Sequence, residues 1–425
     1  MDAASVSTGG TGATYELTEL DRHNHRKITR AGWAVYDLAD TIWSYAIFSR
    51  AISLFLVDKL GDGPGNLWLG LSVALSVGIN ALVSPFLGAI SDRFGRRLPF
   101  LFGFTVGACL PAMAIPFVPV WLGIILFCVA MFSYQSCLIY FDATLQLVST
   151  PENRGRIASL STGVGYMGTV IIALLLFATD LSVAMTFVVA PLLFFVLALP
   201  TFLLLKEDGS RRKRDADPLG AAWSQTWRTI RSLDQYPGLG RFLASRFFYT
   251  DALNTSVTIM TIFAVKAVGF TEQDANIVLL CLTLSAIIAA FIWGQLVDRF
   301  GPKRTLFSVL AMWAVALLVG ALLIAPGPFI VAGLFIGAGF AGLHVSDRVL
   351  MYRLSPPDRL GEFYGLYGLV GKGSQVIGNL FWGVVLFLTF DTLGKGAYQV
   401  GILTLLVAML IGLFLLYPVP EKREG

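Results

Sequence analysis

The chain has 425 residues, of which 56% are apolar and 14% charged, with a mean hydropathy of +0.73 and a formal net charge of +4. A soluble globule carries roughly 25% charged residues, so this composition excludes a string of soluble domains. The basic residues sort by loop rather than gathering into a patch, which excludes a nucleic-acid surface.

In chain order, residues 1–30 are polar and hold no apolar leader core, which predicts a cytoplasmic tail and no cleaved signal peptide. Apolar stretches follow at 31–57, 66–90, 98–118, 120–147, 157–178 and 183–205. Each is long enough to cross a hydrocarbon core about 30 Å thick as a helix. They predict an N-terminal six-helix bundle over 31–205. Residues 206–242 read as a cytoplasmic linker, where Asp217 and Pro218 form a helix start signal. Leu219, Trp223, Trp227 and Ile230 then recur at helical spacing, which predicts a short helix lying on the inner membrane surface. Further stretches at 243–267, 275–297, 304–325, 328–352, 363–389 and 398–417 predict a C-terminal bundle over 243–417, with 418–425 as a second cytoplasmic tail. The expected class is an all-α membrane protein with twelve transmembrane helices.

Orientation follows from lysine and arginine. One set of loops and tails holds 24 of them and the other only Lys59, Lys266 and Lys395. Cytoplasmic loops carry the basic excess, so both termini are expected inside, in a cell (inner) membrane. Cys109, Cys128, Cys137 and Cys281 lie in apolar segments without pairing or metal-ligand spacing, so no disulfide, metal or cofactor is expected.

An ionisable side chain in mid-span costs about 2.5–3.5 kcal/mol on insertion scales and usually faces a pathway. Here that set is Asp37, Asp40, Arg50, Asp142, Arg246, Asp251, His344, Asp347, Arg348 and Lys372. Asp37, Asp40, Thr41 and Ser44 share one face of the first span. Two acids three positions apart repel when both are ionised, which suits a proton carrier; a gate or helix-start charge is the plainer reading of Asp37. On the fourth span Gln135, Tyr140 and Asp142 are candidates for a solute or proton pathway. On the seventh, Thr250, Asn254, Thr258 and Thr261 form a polar stripe beside Asp251, and on the eleventh Lys372, Gln375 and Asn379 do so.

Lys372 lies ten residues from Glu362, about 15 Å along a helix. It is either a site for a solute carboxylate or phosphate, or a partner of Asp92 or another acid in a lock between halves. Asp347 and Arg348, near the end of the tenth span, are expected to form a structural pair bridging to the loop between spans eight and nine. His344, one turn deeper, is either a titrating group or a packing histidine.

The two halves repeat a motif. The second span ends in Gly88, Asp92, Arg93, Gly95, Arg96 and Arg97, and the eighth in Gly294, Asp298, Arg299, Gly301, Lys303 and Arg304. Asp142 and Pro151 recur as Asp347 and Pro356 at nearly the same offset, and Asp37, Asp40 and Thr41 as Asp251, Asn254 and Thr255. Such repeats place a solute site between the halves near the midplane.

The doubled Gly-x-x-x-Asp-Arg-x-Gly loop resembles the signature of the major facilitator superfamily. That resemblance implies two pseudo-symmetric bundles, and a conformational lock in which these loops make charge pairs between halves. Asp347 and Arg348 are grouped with this gate. Further stretches resemble the vacuole-effluxer-like branch, which includes fungal vacuolar amino-acid effluxers: Trp33 with Tyr36, Asp37 and Asp40, Tyr140 with Asp142, Arg241 with Tyr249 and Asp251, and Glu362 with Gly365, Gly371 and Lys372. Asp40 and Asp142 stand where that branch more often has an amide. Asn80 to Gly88 also resembles the glycoside–pentoside–hexuronide cation symporters, but Asn80 and Ser84 replace the paired aspartates that carry the cation there.

No phosphate loop for ATP is present. Three histidines, two of them (His23, His25) in the tail, offer no clustered catalytic set, so the chain is not expected to be an enzyme. The expectation is a monomeric secondary transporter, working by alternating access and linked to protons, for a small polar solute such as an amino acid. A sugar/cation symporter and a lipid or lysolipid flippase of the same fold remain the alternatives.

Overall fold

The computed structural model describes residues 19–179, 181–207, 224, 227–231, 233–236, 238–264, 268–394 and 396–421. A short α1 (Glu19–Asn24) precedes the first span, which runs as α2 (Lys27–Trp43), a π-helical segment (Ser44–Ala51) and α3 (Ile52–Leu60). Five spans complete the first half: α4 (Asp62–Phe94), α5 (Leu98–Ala114), α6 (Val120–Ala143) with the one-turn α7 (Leu145–Val148), α8 (Arg154–Thr179) and α9 (Val183–Leu204). The second half holds α10 (Leu239–Phe263), α11 (Glu272–Phe300), α12 (Pro302–Leu322), α13 (Pro326–Leu354), α14 (Leu360–Leu393) and α15 (Gly396–Leu416).

Each span falls on an expected apolar stretch, and most overrun it by a few residues because a helix continues past the hydrocarbon into its loop. Nine of the described helices are long and apolar enough to cross a membrane, and the first span, α10 and α14 complete the twelve. Those three carry Asp37 and Asp40, Arg246 and Asp251, and Lys372. Most of the surface helix expected from Asp217 lies outside the described residues, although 227–231 is helical with Trp227 half exposed.

Each half has its own aromatic core. Trp33 and Tyr36 both stack on Phe141 at 4.8 Å, and Trp43 stacks on Tyr134 at 4.4 Å. Trp313, Tyr249 and Phe242 are fully buried in the second half. Leu67, Leu71, Leu75 and Leu82 project outward from α4 at helical spacing, a stripe that suits a lipid environment. The protein is a multi-pass membrane protein.

The halves meet along two seams, and glycine sets both. A Cβ on Gly88 of α4 would overlap the Gly361 carbonyl of α14, and one on Gly294 of α11 would overlap Ser159 of α8. Close approach of this kind is how helices associate where no hydrophobic drive exists between them. At the end of each seam an acid reaches across to the start of a helix in the other half. Asp92 accepts from the N–H groups of Gly361 and Glu362 at 3.0 and 2.9 Å. Asp298 accepts from those of Gly155 and Arg156 at 2.7 and 3.1 Å. Gly95 and Gly301, with φ of +65° and +89°, then turn the chain as only glycine does readily.

This corrects the expected lock in one respect. Arg156 pairs with Asp298 across the halves at 3.4 Å, while Arg97 pairs with Asp92 inside its own half at 2.7 Å. The shared element is a carboxylate against the positive end of a helix, worth up to about 2 kcal/mol when partly buried. Arg96, Arg299 and Arg304 are exposed, and Lys303 Nζ donates to the Tyr417 carbonyl at 2.8 Å.

Asp92→Asn combined with Asp298→Asn should loosen this face. With the four native cysteines replaced, spin labels at Glu152 and Arg299, and separately at Arg96 and Asp358, should move to longer distances in the double variant. Unchanged distributions would show that the two caps do not hold the halves together.

Candidate functional site

Between the two cores, five helices, α2, α6, α10, α13 and α14, bring charged side chains toward one another. Asp142 Oδ1 of α6 and Arg348 Nε of α13 form an ion pair across the halves at 2.9 Å. Arg348 therefore does not bridge to the loop between spans eight and nine; that loop's Asp298 is already taken by the α8 N-terminus. Its neighbour Asp347 does not share the pair either, because adjacent residues on a helix point about 100° apart. Asp347 is fully buried and pairs with Arg246 of α10. It also accepts from Tyr249 and Tyr367 hydroxyls at 2.8 and 3.1 Å, and the Arg246 guanidinium lies 3.3 Å from the Tyr367 ring centroid. Those contacts all lie within the second half.

Lys372 of α14 reaches the other half. Its Nζ donates to Asn80 Oδ1 on α4 and to the Gln135 carbonyl on α6, the latter at 3.2 Å. Among the described residues it meets no carboxylate, and Asp92 is engaged at the seam instead. Asn80 is fixed by its own donors, to Ser136 Oγ at 2.7 Å and the Phe132 carbonyl at 3.0 Å. Asn80 was legible only as the residue replacing an acid; its part in holding Lys372 was not.

Among the described residues Asp37 and Asp40 of the first span form no ion pair with a base, although both lie within electrostatic reach of Arg348. Asp37 accepts from Ser161 Oγ of α8 at 2.5 Å. Asp40 is 5% exposed; Tyr134 donates to one of its oxygens at 3.1 Å, and the other has no partner. Asp40 and Asp142 lie within electrostatic reach of Asp37 and Arg348, and Asp142 also of Lys372 and Arg246. Thr162 and Tyr166 of α8, Thr250 of α10 and one Arg348 nitrogen are likewise buried polar atoms without partners. Each such atom is costly in a dry interior.

Other expected site residues take different places. Thr41 donates to the Gly165 carbonyl at 2.5 Å and holds α2 against α8. Tyr140 is buried and donates to the Leu87 carbonyl, tying α6 to α4. His344 packs edge-on against Phe340 at 4.6 Å. Gln375 is exposed, Gln135 contributes its carbonyl rather than its amide, and Asp251 accepts from Thr255 at 3.3 Å. Asn254 is half-buried, and the Thr258 side chain lies outside the described residues. Among the described residues no group of three acids, histidines or cysteines could hold a metal ion.

Comparisons with known proteins bear on the family and the fold. The profile of the vacuole effluxer Atg22-like family matches residues 146–424, and that of the major facilitator superfamily residues 41–250. The chain is 26% identical over 414 residues to an uncharacterized MFS-type transporter, YxiO, of Bacillus subtilis, covering 92% of this chain and 95% of that one. It is 24% identical over 303 residues to autophagy-related protein 22 of Coccidioides immitis, covering 64% of this chain and half of that one. Among solved structures, the human organic anion transporter MFSD10 superposes with a TM-score of 0.72 at 15% identity, over 93% of this chain and 99% of that one. The major facilitator transporter FucP in its outward conformation gives 0.68 at 14% identity, over 90% and 98%. At such identities the structures share the fold. With one family profile spanning more than half of the sequence, the chain belongs to the vacuole effluxer Atg22-like family of major facilitator transporters.

Proposed function

We propose that the protein moves an amino acid or a related small carboxylate-bearing metabolite across the cell membrane, with both termini cytoplasmic, by proton-linked alternating access. The observation that carries this reading is the state of Lys372. It is a mid-span cation presented by one half and met by neutral oxygens of the other. A half-buried mid-span charge so held is under-compensated, and a solute carboxylate would compensate it. Asp37 and Asp40 are acids that form no ion pair among the described residues. One of them suits a solute ammonium group, and the buried Asp40, one oxygen unmet, suits the coupled proton. Asp142 and Arg348 neutralise each other across the halves, so their contact would have to break as the halves rock.

In proteoliposomes, Asp40→Asn is expected to abolish uptake driven by a pH gradient while preserving counterflow exchange. Uptake that still follows the gradient would remove Asp40 from coupling.

Lys372→Met should lose affinity for an anionic or zwitterionic solute, read by thermal shift over a panel of amino acids, sugars, nucleosides and lysolipids. Intact affinity would assign Lys372 to joining the halves alone.

Asp142→Ala leaves Arg348 buried without its acid, and breaking such a pair typically costs about 3–5 kcal/mol. The melting temperature should fall by several degrees and largely recover in Asp142→Ala with Arg348→Met. Equal losses in the single and double variants would mean that the two residues do not act as a pair.

A further inference from the structure

On the face that carries the two Asp-Arg loops, α1 folds back across the ends of α5 and α9. His23 Nε2 meets the Leu204 carbonyl at 2.9 Å. Asn24 donates to the Lys206 carbonyl at 2.7 Å and accepts from its N–H at 3.1 Å. Beside this clasp lies a cavity of about 1080 Å³. Arg22, Arg26, Arg96 and Lys206 surround it, all exposed, and among the described residues none of their head groups pairs with a carboxylate. Two acids also line it, but Glu207 is committed: its oxygens accept the N–H groups of Arg97 and Leu98 at 2.9 Å and cap α5. Glu19 stands exposed at the rim. The remaining wall is apolar, formed by Leu20, Leu98 and Pro99. Nearby Ile28 and Leu203 point outward with 64% and 76% exposure, so the lipid-facing surface begins at this level.

We propose that this cavity binds the phosphate headgroup of an anionic phospholipid, whose glycerol and upper acyl chains cover Leu20, Leu98 and Pro99. Three guanidinium groups and an ammonium outnumber the two carboxylates and leave a net positive site, which suits a phosphate, and basic pockets beside membrane helices bind such headgroups. A free phosphate would meet the same cations but leave the apolar wall wet, which favours the lipid. The orientation proposed above decides only which leaflet supplies it. Arg96 is followed by Arg97, whose side chain holds Asp92 at the seam, so an occupant would bear on the closure of this face.

The test uses the purified full-length protein in a neutral detergent, with dioleoylphosphatidylglycerol, dioleoylphosphatidylcholine and glycerol 3-phosphate as probes. Phosphatidylglycerol should raise the melting temperature saturably, and the other two should not at matched concentration. Arg22→Gln, Arg26→Gln and Lys206→Gln together should weaken half-saturation about tenfold, as loss of charge-assisted contacts implies. Arg241→Gln, Arg299→Gln and Arg304→Gln, which remove the same charge elsewhere on this face, should leave it unchanged. Native mass spectrometry should count one retained phosphatidylglycerol fewer in the first variant, a readout that stands if its unliganded melting temperature has dropped. Equal effects of both triple variants, or of both lipids, would overturn the site. Stabilisation by glycerol 3-phosphate equal to that by phosphatidylglycerol would overturn the lipid in favour of a soluble phosphate ligand.

Discussion

An ion within a hydrocarbon slab must find an opposite charge, a dense set of dipoles or water, and this requirement orders the middle of the protein. Arg246 meets it most fully, with a carboxylate, a tyrosine ring and a backbone carbonyl around one guanidinium. Arg348 meets it with Asp142, but only while the two halves stay together on that side. Lys372 meets it with neutral oxygens. The three cations thus form a series, from a closed assembly within one half to a provisional contact between halves. Mobility in a rocking transporter belongs at the provisional end of that series.

Much of the fold was legible because hydropathy and charge act along the chain. Twelve apolar stretches gave the spans, and the doubled loop gave the places where the halves close. What was hidden lies between segments distant in sequence. Helical spacing fixes which face Arg348 occupies but not which acid the other half presents to it. Thr41 and Tyr140 had the polar character of pathway residues, yet each spends its hydroxyl on a backbone carbonyl of a neighbouring helix. A hydroxyl satisfied by packing and one left for solute read identically in sequence. Lys372 was placed at its depth by counting from Glu362, whereas its partners Asn80 and Gln135 come from two helices of the other half.

The lock at the loop-bearing face shows a related limit. A sequence containing Asp-Arg next to basic residues invites a picture of side-chain ion pairs. The geometry instead sets each acid against backbone N–H groups at the start of a helix. Backbone donors are present in every sequence, so composition carries no sign of them. Glycine was the usable hint, since Gly88 and Gly294 are required where backbones approach too closely for a side chain.

Those two seams diverge where the solute would sit. Along α4, residues 80, 84, 88 and 92 fall on one face, four positions apart, and each touches α14. Asn80 meets Lys372, Ser84 donates to the Gly365 carbonyl at 2.9 Å, Gly88 abuts Gly361, and Asp92 caps the helix start. Along α8, Gly155, Ser159 and Gly163 oppose Asp298, Gly294 and Phe291 of α11 in the same manner. One seam ends at mid-membrane in an aromatic ring, the other in an ammonium group. A neutral contact such as Gly163 with Phe291 gives a charged solute little to displace. On the proposed function, the contact of Lys372 with Asn80 would be traded for a solute carboxylate, and that trade would unfasten the inner end of a seam whose other end is the Asp92 cap. Solute binding and release of the closed face would then be coupled through one pair of helices, α4 and α14, while α8 and α11 serve as the passive hinge side.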